Sequence, residues 1–213
     1  MCIRDRVIMK TLKKSLTLIF IISLFCITAE AKTIQHTVVK GESMWKIAVK
    51  YQVGLSEIIS ANPQVSNPAL IYPNQVLNIP LMDESITSFE QQVIDLTNEK
   101  RASRGLKPLN ANWELSRVAR YKSQDMANNK YFSHTSPTYG SPFNMIKNFG
   151  IKYRSAGENI AYGQRTPAQV VNSWWNSAGH RANMLNANYT DIGVGYVAVS
   201  YTHLRAHETT LHL

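Results

Sequence analysis

The chain has 213 residues, of which 44% are hydrophobic and 17% charged, so it can bury one or two ordinary cores and is neither disordered nor collagen-like. Its two cysteines, Cys2 and Cys26, are too few for a disulfide scaffold or a thiolate zinc finger. The formal net charge of +9 favours anionic partners, a class that includes nucleic acids and cell walls.

The coding sequences of the two ends of the chain can be written as an inverted DNA repeat. Codons that spell residues 1–6 give, as their reverse complement, codons for residues 199–203. Such an inverted repeat is typical of a sequencing-library adapter left on an assembled fragment, with chance or a genuine transposon end as the alternative. We therefore expect residues 1–6 and about 199–213 to be an adapter artefact and exclude them from functional reasoning.

Residues 9–31 have the pattern of a secretory signal peptide. Basic residues precede an apolar run at 16–27, and the small-x-small triplet Ala29-Glu30-Ala31 follows. The run is short for a bilayer span, although an uncleaved membrane anchor stays the alternative. Cleavage would leave an exported protein without cysteine and without a stable membrane span. Residues 32–198 carry 17 basic and 11 acidic side chains, a mild bias that suits an anionic wall, and no basic run points to nucleic acid.

Residues 35–80 are predicted to form a small β-α-α-β module. Ser43 can cap its first helix, and Pro63 ends the second. Trp45 is expected in the core, because it shares helical spacing with other apolar residues of the first helix. His36 is expected to be an ordinary strand residue.

This module resembles a LysM domain along its whole length. The resemblance lies in four motifs, which are His36-Thr37-Val38, Gly41-Glu42-Ser43-Met44-Trp45-Lys46-Ile47-Ala48, Ala61-Asn62-Pro63 and Ile71-Tyr72-Pro73-Asn74-Gln75-Val76-Leu77-Asn78-Ile79-Pro80. It implies binding of N-acetylglucosamine glycans, in peptidoglycan or chitin, in a shallow groove between the loop after the first strand and the loop before the second. Carried over position by position, the groove would be lined by Gly41, Glu42, Ser43 and Met44 on one side and by Leu70, Ile71 and Tyr72 on the other.

Residues 81–87 follow a proline, are polar at their centre and predict a linker. Beyond them, residues 88–198 alternate four predicted helices with two strands, at 158–162 and 192–197, which favours an α/β sandwich with helices covering a small sheet. Three of the helices have predicted N-caps, at Asn112, Ser141 and Thr166, the last two followed by proline.

Three polar residues, His134, Glu158 and His180, are not explained by this architecture. Each lies beside turn-forming residues at the end of an element, where side chains can converge on a cleft. Two imidazoles and a carboxylate could hold zinc or another divalent cation with positions open for water, or could orient one another by hydrogen bonds. Spacing does not choose between these, and a purely structural role for each histidine stays open.

Residues 88 to about 197 resemble the CAP superfamily of cysteine-rich secretory proteins, in its cysteine-free bacterial form. The motifs are Phe132-Ser133-His134, Gly157-Glu158-Asn159 and Gly179-His180-Arg181. The resemblance implies an α-β-α sandwich whose cleft carries a His, Glu, Glu, His tetrad that binds divalent metal in some members. His134, Glu158 and His180 match three of these positions, whereas Ser177 occupies the position of the second Glu.

The CAP family also has an aromatic-rich strand after the position of residue 197, which the adapter-like tail replaces. We therefore expect the domain to lack its last strand. The loss of a central strand leaves ladder groups unpaired, so we expect a marginal fold or one prone to aggregation.

These patterns favour a secreted protein of the cell wall or spore envelope, which binds peptidoglycan through LysM and offers the CAP cleft to an unidentified ligand or partner. The alternative is a metal-assisted hydrolase, either a protease or a wall-lytic enzyme, that uses His134, Glu158 and His180. The mature sequence has no Gly-x-Ser-x-Gly elbow, no His-Glu-x-x-His helix and no cysteine, so catalysis is the less favoured hypothesis.

Overall fold

The structure is a computed structural model that describes residues 32–199 and 205–213. The predicted signal peptide and the N-terminal adapter segment lie outside these residues. Among the residues described, no helix combines the length and the apolar character that a membrane crossing requires. Helices and strands are mixed, which confirms the predicted α/β class.

The first module is the predicted β-α-α-β unit. Its elements are β1 (Thr33–Thr37), α1 (Met44–Tyr51), α2 (Leu55–Ser60) and β2 (Val76–Pro80), and the two strands pair antiparallel. Ser43 caps α1 as predicted, because its hydroxyl accepts from the N–H of Lys46. An apolar core fills the space between helices and strands and contains Val38, Met44, Ile47, Ala48, Val53, Ile58, Leu77 and Ile79.

His36 is more than an ordinary strand residue. Its buried ring forms hydrogen bonds with the Tyr51 hydroxyl at 3.0 Å and with the Glu42 carboxylate at 2.7 Å. The same Glu42 oxygen accepts from the N–H of Val39 at 2.9 Å. These bonds tie the loop after β1 to the strand and to α1.

The expectation that Trp45 lies in the core is wrong. Its side chain is 50% exposed, whereas Met44, Ile47 and Ala48 are buried. The inward face of α1 follows the spacing i, i+3, i+4 from Met44, and a residue one position later is rotated away from that face by about 100°.

The second module is a four-stranded sheet between two helical layers. Its elements are α3 (Glu84–Ala102), β3 (Asn110–Ala111), α4 (Trp113–Asn128), α5 (Pro142–Asn148), β4 (Gly157–Tyr162), α6 (Pro167–Asn176), α7 (Ala178–Met184), β5 (Asp191–Val199) and β6 (Arg205–His212). The strand order is β3-β5-β6-β4, with β3 parallel to β5 and the other pairs antiparallel. Helices α3, α6 and α7 pack on one face, and α4 and α5 pack on the other.

The local start signals of three helices are confirmed. Asn112, Ser141 and Thr166 each accept a hydrogen bond from the N–H three residues ahead, at the starts of α4, α5 and α6. The predicted linker is shorter than expected. Asp83 caps α3 by accepting from the N–H of Ser85 at 2.7 Å, so only residues 81–83 separate β2 from α3.

The expected loss of the last strand is wrong. Residues 205–212 form β6, which lies between β5 and β4 and pairs with both. Ladder hydrogen bonds join backbone groups, so an extended segment whose side chains fit can complete the sheet. The tail supplies Thr209, Thr210 and Leu211 as buried side chains, and β-branched threonine suits a strand.

The buried end of β6 contains an unsatisfied polar side chain. His212 is 1% exposed and stacks on Tyr189, with ring centroids 5.6 Å apart. Neither of its ring nitrogens has a hydrogen-bond partner among the described residues. Burial, with a smaller contribution from the charge of Arg101, lowers the pKa of His212 to about 3, so the ring is neutral in the folded protein at pH 7.

Two glycines allow α4 to lie directly against β5. A Cβ at Gly193 would lie 2.4 Å from the backbone of Leu115 and Ser116, and one at Gly195 would lie 2.1 Å from the backbone nitrogen of Arg120. These are backbone atoms of a helix and cannot move aside separately. Glycine is therefore required at both positions by the distance between the two elements.

Gly195→Ala is expected to lower the free energy of unfolding by about 1–3 kcal/mol, because the added methyl group forces α4 away from the sheet. Gly179→Ala is the matched control, since a Cβ there meets no described atom within 4 Å. We expect that control to be neutral or to stabilise α7 by about 0.5–1 kcal/mol. Chemical denaturation measures both, and equal effects of the two variants would contradict the close packing.

His212→Phe is expected to raise the free energy of unfolding at pH 7 by about 1–3 kcal/mol, because it keeps the stacked ring and removes two unpaired buried nitrogens. The lowered pKa of His212 also makes stability depend on pH. Below about pH 6.5 the His212 ring binds a proton in the unfolded chain, whereas in the folded protein it binds one only near pH 3. The free energy of unfolding therefore falls as the pH falls from 6.5 toward 3. Denaturation at pH 7 and pH 5 should show a smaller loss for His212→Phe, and identical pH slopes would reject this assignment.

Candidate functional site

Two predicted site residues of the second module meet. The His134 Nδ1–H group donates to the Glu158 carboxylate at 2.5 Å. Glu158 comes from β4 and is buried, whereas the His134 side chain comes from a loop and is 53% exposed. The second Glu158 oxygen, Oε1, is buried and finds no hydrogen-bond partner within the described part of the chain. The pair therefore has one hydrogen-bonded carboxylate oxygen and one unsatisfied one.

The pKa values of His134 and His180 are shifted in opposite directions. Glu158 raises the pKa of His134 chiefly by accepting its hydrogen bond, against an opposing effect of burial. Burial lowers the pKa of His180, and the charge of His134 adds to that shift. The arrangement therefore shifts the two histidines in opposite directions, His134 toward its protonated form and His180 toward its neutral form.

Lys122 of α4 holds the His134 loop from inside the protein. Its buried ammonium donates to the carbonyl oxygens of Ser133 at 2.8 Å and His134 at 2.9 Å, and to the Tyr131 hydroxyl at 3.2 Å. Burial lowers the pKa of Lys122, while the charges of Glu158 and Asp125 oppose that shift. In the sequence, Lys122 shares helical spacing with the apolar residues Leu115, Val118, Ala119 and Met126, and that position is the one sequence signal of a buried cation.

Asp125 fixes the other end of the same loop. Its carboxylate accepts from the hydroxyls of Ser136 and Thr138, each at 2.6 Å, and from the Asn129 amide at 2.7 Å; the Tyr131 hydroxyl donates to it as well. Burial would raise the pKa of Asp125, but these donors outweigh it and lower the pKa. No motif in the sequence indicates this cluster.

The remaining site residue, His180, is tied to β4 through backbone and amide groups. Asn159 donates to the His180 carbonyl at 3.2 Å, and Asn183 donates to the Glu158 carbonyl at 3.1 Å and to the Asn159 side chain at 2.9 Å. Ser177, which stands at the predicted position of the second Glu, lies between α6 and α7. Of the three matched tetrad positions, the structure brings His134 and Glu158 into hydrogen-bond contact, and His180 is linked to β4 through its carbonyl.

This donor set does not fit a metal ion. Within residues 32–199 and 205–213, no three His, Cys, Asp or Glu side chains are grouped as a metal site requires. Glu158 Oε2 is occupied by His134 Nδ1, and Ser177 offers no carboxylate.

A pair of exposed aromatic rings comes from the two segments that carry the His134–Glu158 pair. Phe132 lies two residues before His134, and Tyr162 lies at the end of β4, on the same side of the strand as Glu158. Their ring centroids are 5.9 Å apart. Sequence reasoning missed this pair, although two aromatic residues near the two motifs were a visible signal.

The residues predicted to bind glycan lie in two loops of the first module. Thr37 of β1 pairs with Val76 of β2, so the loop that follows β1 and the loop that precedes β2 leave the sheet at the same end. Gly41 has a φ of +88°, which suits glycine and turns the backbone of the first loop. Two of the predicted residues use their side chains for contacts within the domain. Met44 is buried in the core, and Glu42 forms a hydrogen bond with His36. Ser43 caps α1, so these three offer a ligand chiefly their backbone groups.

The second loop carries the exposed members of the predicted set. Leu70 is 51% exposed and Tyr72 is 59% exposed, whereas Ile71 packs against the core. Leu70 and Tyr72 line an open cavity of about 480 Å³. Its other lining residues, Gln64, Val65, Ser66, Asn67, Pro73, Asn74 and Gln75, are mostly polar.

Comparison with known proteins assigns both modules. The model of the cysteine-rich secretory protein family, CAP, matches residues 94–204, and the model of the LysM domain matches residues 36–80. A crystal structure of an extracellular protein containing an SCP domain from Bacillus anthracis superposes with a TM-score of 0.55 at 32% identity, covering 66% of this chain and 47% of that one.

Similar proteins each match part of this chain. The uncharacterized protein YkwD of Bacillus subtilis is 59% identical over 113 residues, which are 53% of this chain and 44% of YkwD. SpoIVD-associated factor A of B. subtilis is 49% identical over 45 residues, 21% of this chain and 12% of that protein. The N-acetylmuramoyl-L-alanine amidase sle1 of Staphylococcus epidermidis is 43% identical over 60 residues, 28% of this chain and 18% of the amidase. The chain thus spans less than half the length of each relative.

His134 and His180 are expected to titrate on opposite sides of the ordinary histidine pKa of about 6.5. Glu158→Gln should lower the pKa of His134, because the amide no longer stabilises the imidazolium, and should relax the shift of His180. The His134–Glu158 pair contributes fully to the free energy of unfolding below the ordinary histidine pKa. That contribution is lost as the pH rises through the raised pKa of His134. Histidine ring resonances followed by NMR test this, and an unchanged His134 pKa in Glu158→Gln would contradict it.

Proposed function

Because the chain belongs to the cysteine-rich secretory protein (CAP) family and carries a LysM domain ahead of its CAP domain, we propose that it is an exported protein of the cell wall. Its LysM domain binds the N-acetylglucosamine glycan of peptidoglycan. Its CAP domain presents the cleft around His134 and Glu158 to a ligand or partner.

The observation that carries the glycan proposal is the pair of exposed apolar side chains, Leu70 and Tyr72, beside polar loop groups. A sugar ring has an apolar face, which covers such side chains, and an acetamido group, which needs hydrogen-bond partners. Leu70 and Tyr72 supply the first, and the amide side chains of the 480 Å³ cavity supply the second. The loop around Gly41 leaves the sheet at the same end and can add backbone donors.

The location rests on three supporting observations. The staphylococcal relative that matches 60 residues of this chain is an N-acetylmuramoyl-L-alanine amidase, and the similar B. anthracis protein is an extracellular protein. Residues 32–198 carry a surplus of basic side chains, which suits an anionic wall. The likeness to SpoIVD-associated factor A extends the proposal to the spore envelope as a place of attachment.

The CAP cleft supports a binding role better than hydrolysis. Lys122 donates to the backbone carbonyl of His134, while the His134 ring is exposed. The exposed Phe132 and Tyr162 rings lie on the same segments as His134 and Glu158. These features present a fixed polar and aromatic surface to a ligand. Metal-assisted hydrolysis needs several metal-binding side chains grouped around one ion, and the described residues contain no group of three His, Cys, Asp or Glu side chains of that kind.

Tyr72→Ala together with Leu70→Ala should weaken sedimentation of the full chain with purified peptidoglycan about tenfold, equivalent to about 1.4 kcal/mol, because the apolar contact with the sugar face is removed. Phe143→Ala is the matched control, since it removes an exposed aromatic side chain of the CAP domain and should leave binding unchanged. Chitin, which shares the sugar, serves as the second polymer. A wild-type chain that stays in the supernatant with both polymers would contradict the glycan proposal.

A further inference from the structure

An acidic side chain of the LysM domain reaches a helix of the CAP domain. Arg117 of α4 donates from Nε to Glu57 Oε1 at 2.6 Å and from its terminal nitrogen to Glu57 Oε2 at 3.0 Å, while Glu57 belongs to α2. We propose that this two-pronged ion pair is an anchor that fixes the LysM and CAP domains to each other as one rigid body.

Neighbouring groups strengthen the anchor beyond an ordinary surface ion pair. The Tyr121 hydroxyl donates to Glu57 Oε1 at 3.0 Å, and Arg117 also donates to the Ser56 hydroxyl at 2.7 Å. The guanidinium lies 5.4 Å from the ring centroid of Tyr121 and 5.3 Å from that of Phe149. Arg117 and Glu57 are 22% and 29% exposed, so solvent screens them less than a fully exposed pair.

The backbone of the LysM domain leaves room for this contact at one glycine. A Cβ at Gly54 would lie 2.0 Å from Glu57 Oε2 and 2.1 Å from Arg117 Nε. The φ of Gly54 is −65°, which any residue adopts, so its absent side chain matters through space alone. Gly54→Ala therefore displaces the ion pair without removing either charge.

The chain connection limits the freedom of the two domains as well. Only residues 81–83 join β2 to α3, and Leu81 packs against the LysM core while its N–H donates to the Lys32 carbonyl at 2.8 Å. A short connection keeps the effective concentration of Glu57 near Arg117 high, so a modest contact suffices to close the interface. The linker and the anchor are two separate points of attachment, which together fix an orientation.

The consequence for function rests on the proposed glycan binding, whereas the anchor itself does not. If the LysM groove holds a wall polymer, a rigid connection places the CAP cleft at one set position relative to that polymer. The CAP domain then meets ligands or partners near the attached glycan strand.

The anchor is tested on the full chain without any glycan, so the result is independent of the proposed function. In the wild type, ¹⁵N relaxation should give the two domains one shared rotational correlation time. Arg117→Gln and Glu57→Gln should each give the smaller LysM domain a shorter correlation time and raise the rate of protease cleavage at residues 81–83 about tenfold. Arg154→Gln, which removes an exposed arginine elsewhere in the CAP domain, should change neither readout.

Charge exchange separates the ion pair from a general loss of structure. Glu57→Arg and Arg117→Glu should each release the LysM domain, and the double exchange should restore the shared correlation time at least in part. Gly54→Ala should release it with both charges in place. Separate correlation times in the wild type, or shared times in both Gln variants with unchanged cleavage, would overturn the anchor.

Discussion

The contact between α4 and β5 supports nearly every functional feature of the CAP domain. Gly193 and Gly195 let the helix backbone rest on the strand, with no side chain between them. Three residues of that same helix then act in different directions: Arg117 reaches the LysM domain, and Lys122 and Asp125 hold the loop that carries His134. Because the helix is seated on the sheet, these side chains keep fixed positions relative to Glu158 on β4.

The site around His134 combines a stabilised loop with an incompletely satisfied carboxylate. Lys122 and Asp125 carry opposite charges and bond the loop at successive points, so its geometry does not depend on the exposed His134 ring. Glu158 bonds His134 through one oxygen and leaves Oε1 buried and unpaired among the described residues. An unpaired buried acceptor lowers stability, and such departures from local satisfaction are typical of functional sites.

Local features of the fold could be predicted from sequence, and long-range ones could not. The caps at Ser43, Asn112 and Thr166 depend on a few neighbouring residues, so a short motif was enough. The strand β6 lies between β4 and β5, which are distant in sequence, and it pairs with both through backbone hydrogen bonds. A segment can take this place if its backbone is extended and its side chains fit the core. Sequence similarity to an adapter therefore gave the wrong structural expectation for residues 205–212. The unpaired His212 nitrogens mark where that segment fits poorly.

The same distinction applies to the site. His134, Glu158 and His180 were found from motifs. The partners of the buried Lys122 lie 9 to 12 residues further along the chain, and Glu57 and Arg117 are 60 residues apart, so no single motif contains either set. An ion pair between two exposed side chains contributes little to stability, because water screens the charges and long side chains lose freedom. The pair here joins two domains already held within reach by three linker residues, so most of the entropy of association is removed by the covalent connection. A contact too weak to hold separate proteins together can therefore fix the orientation of domains in one chain.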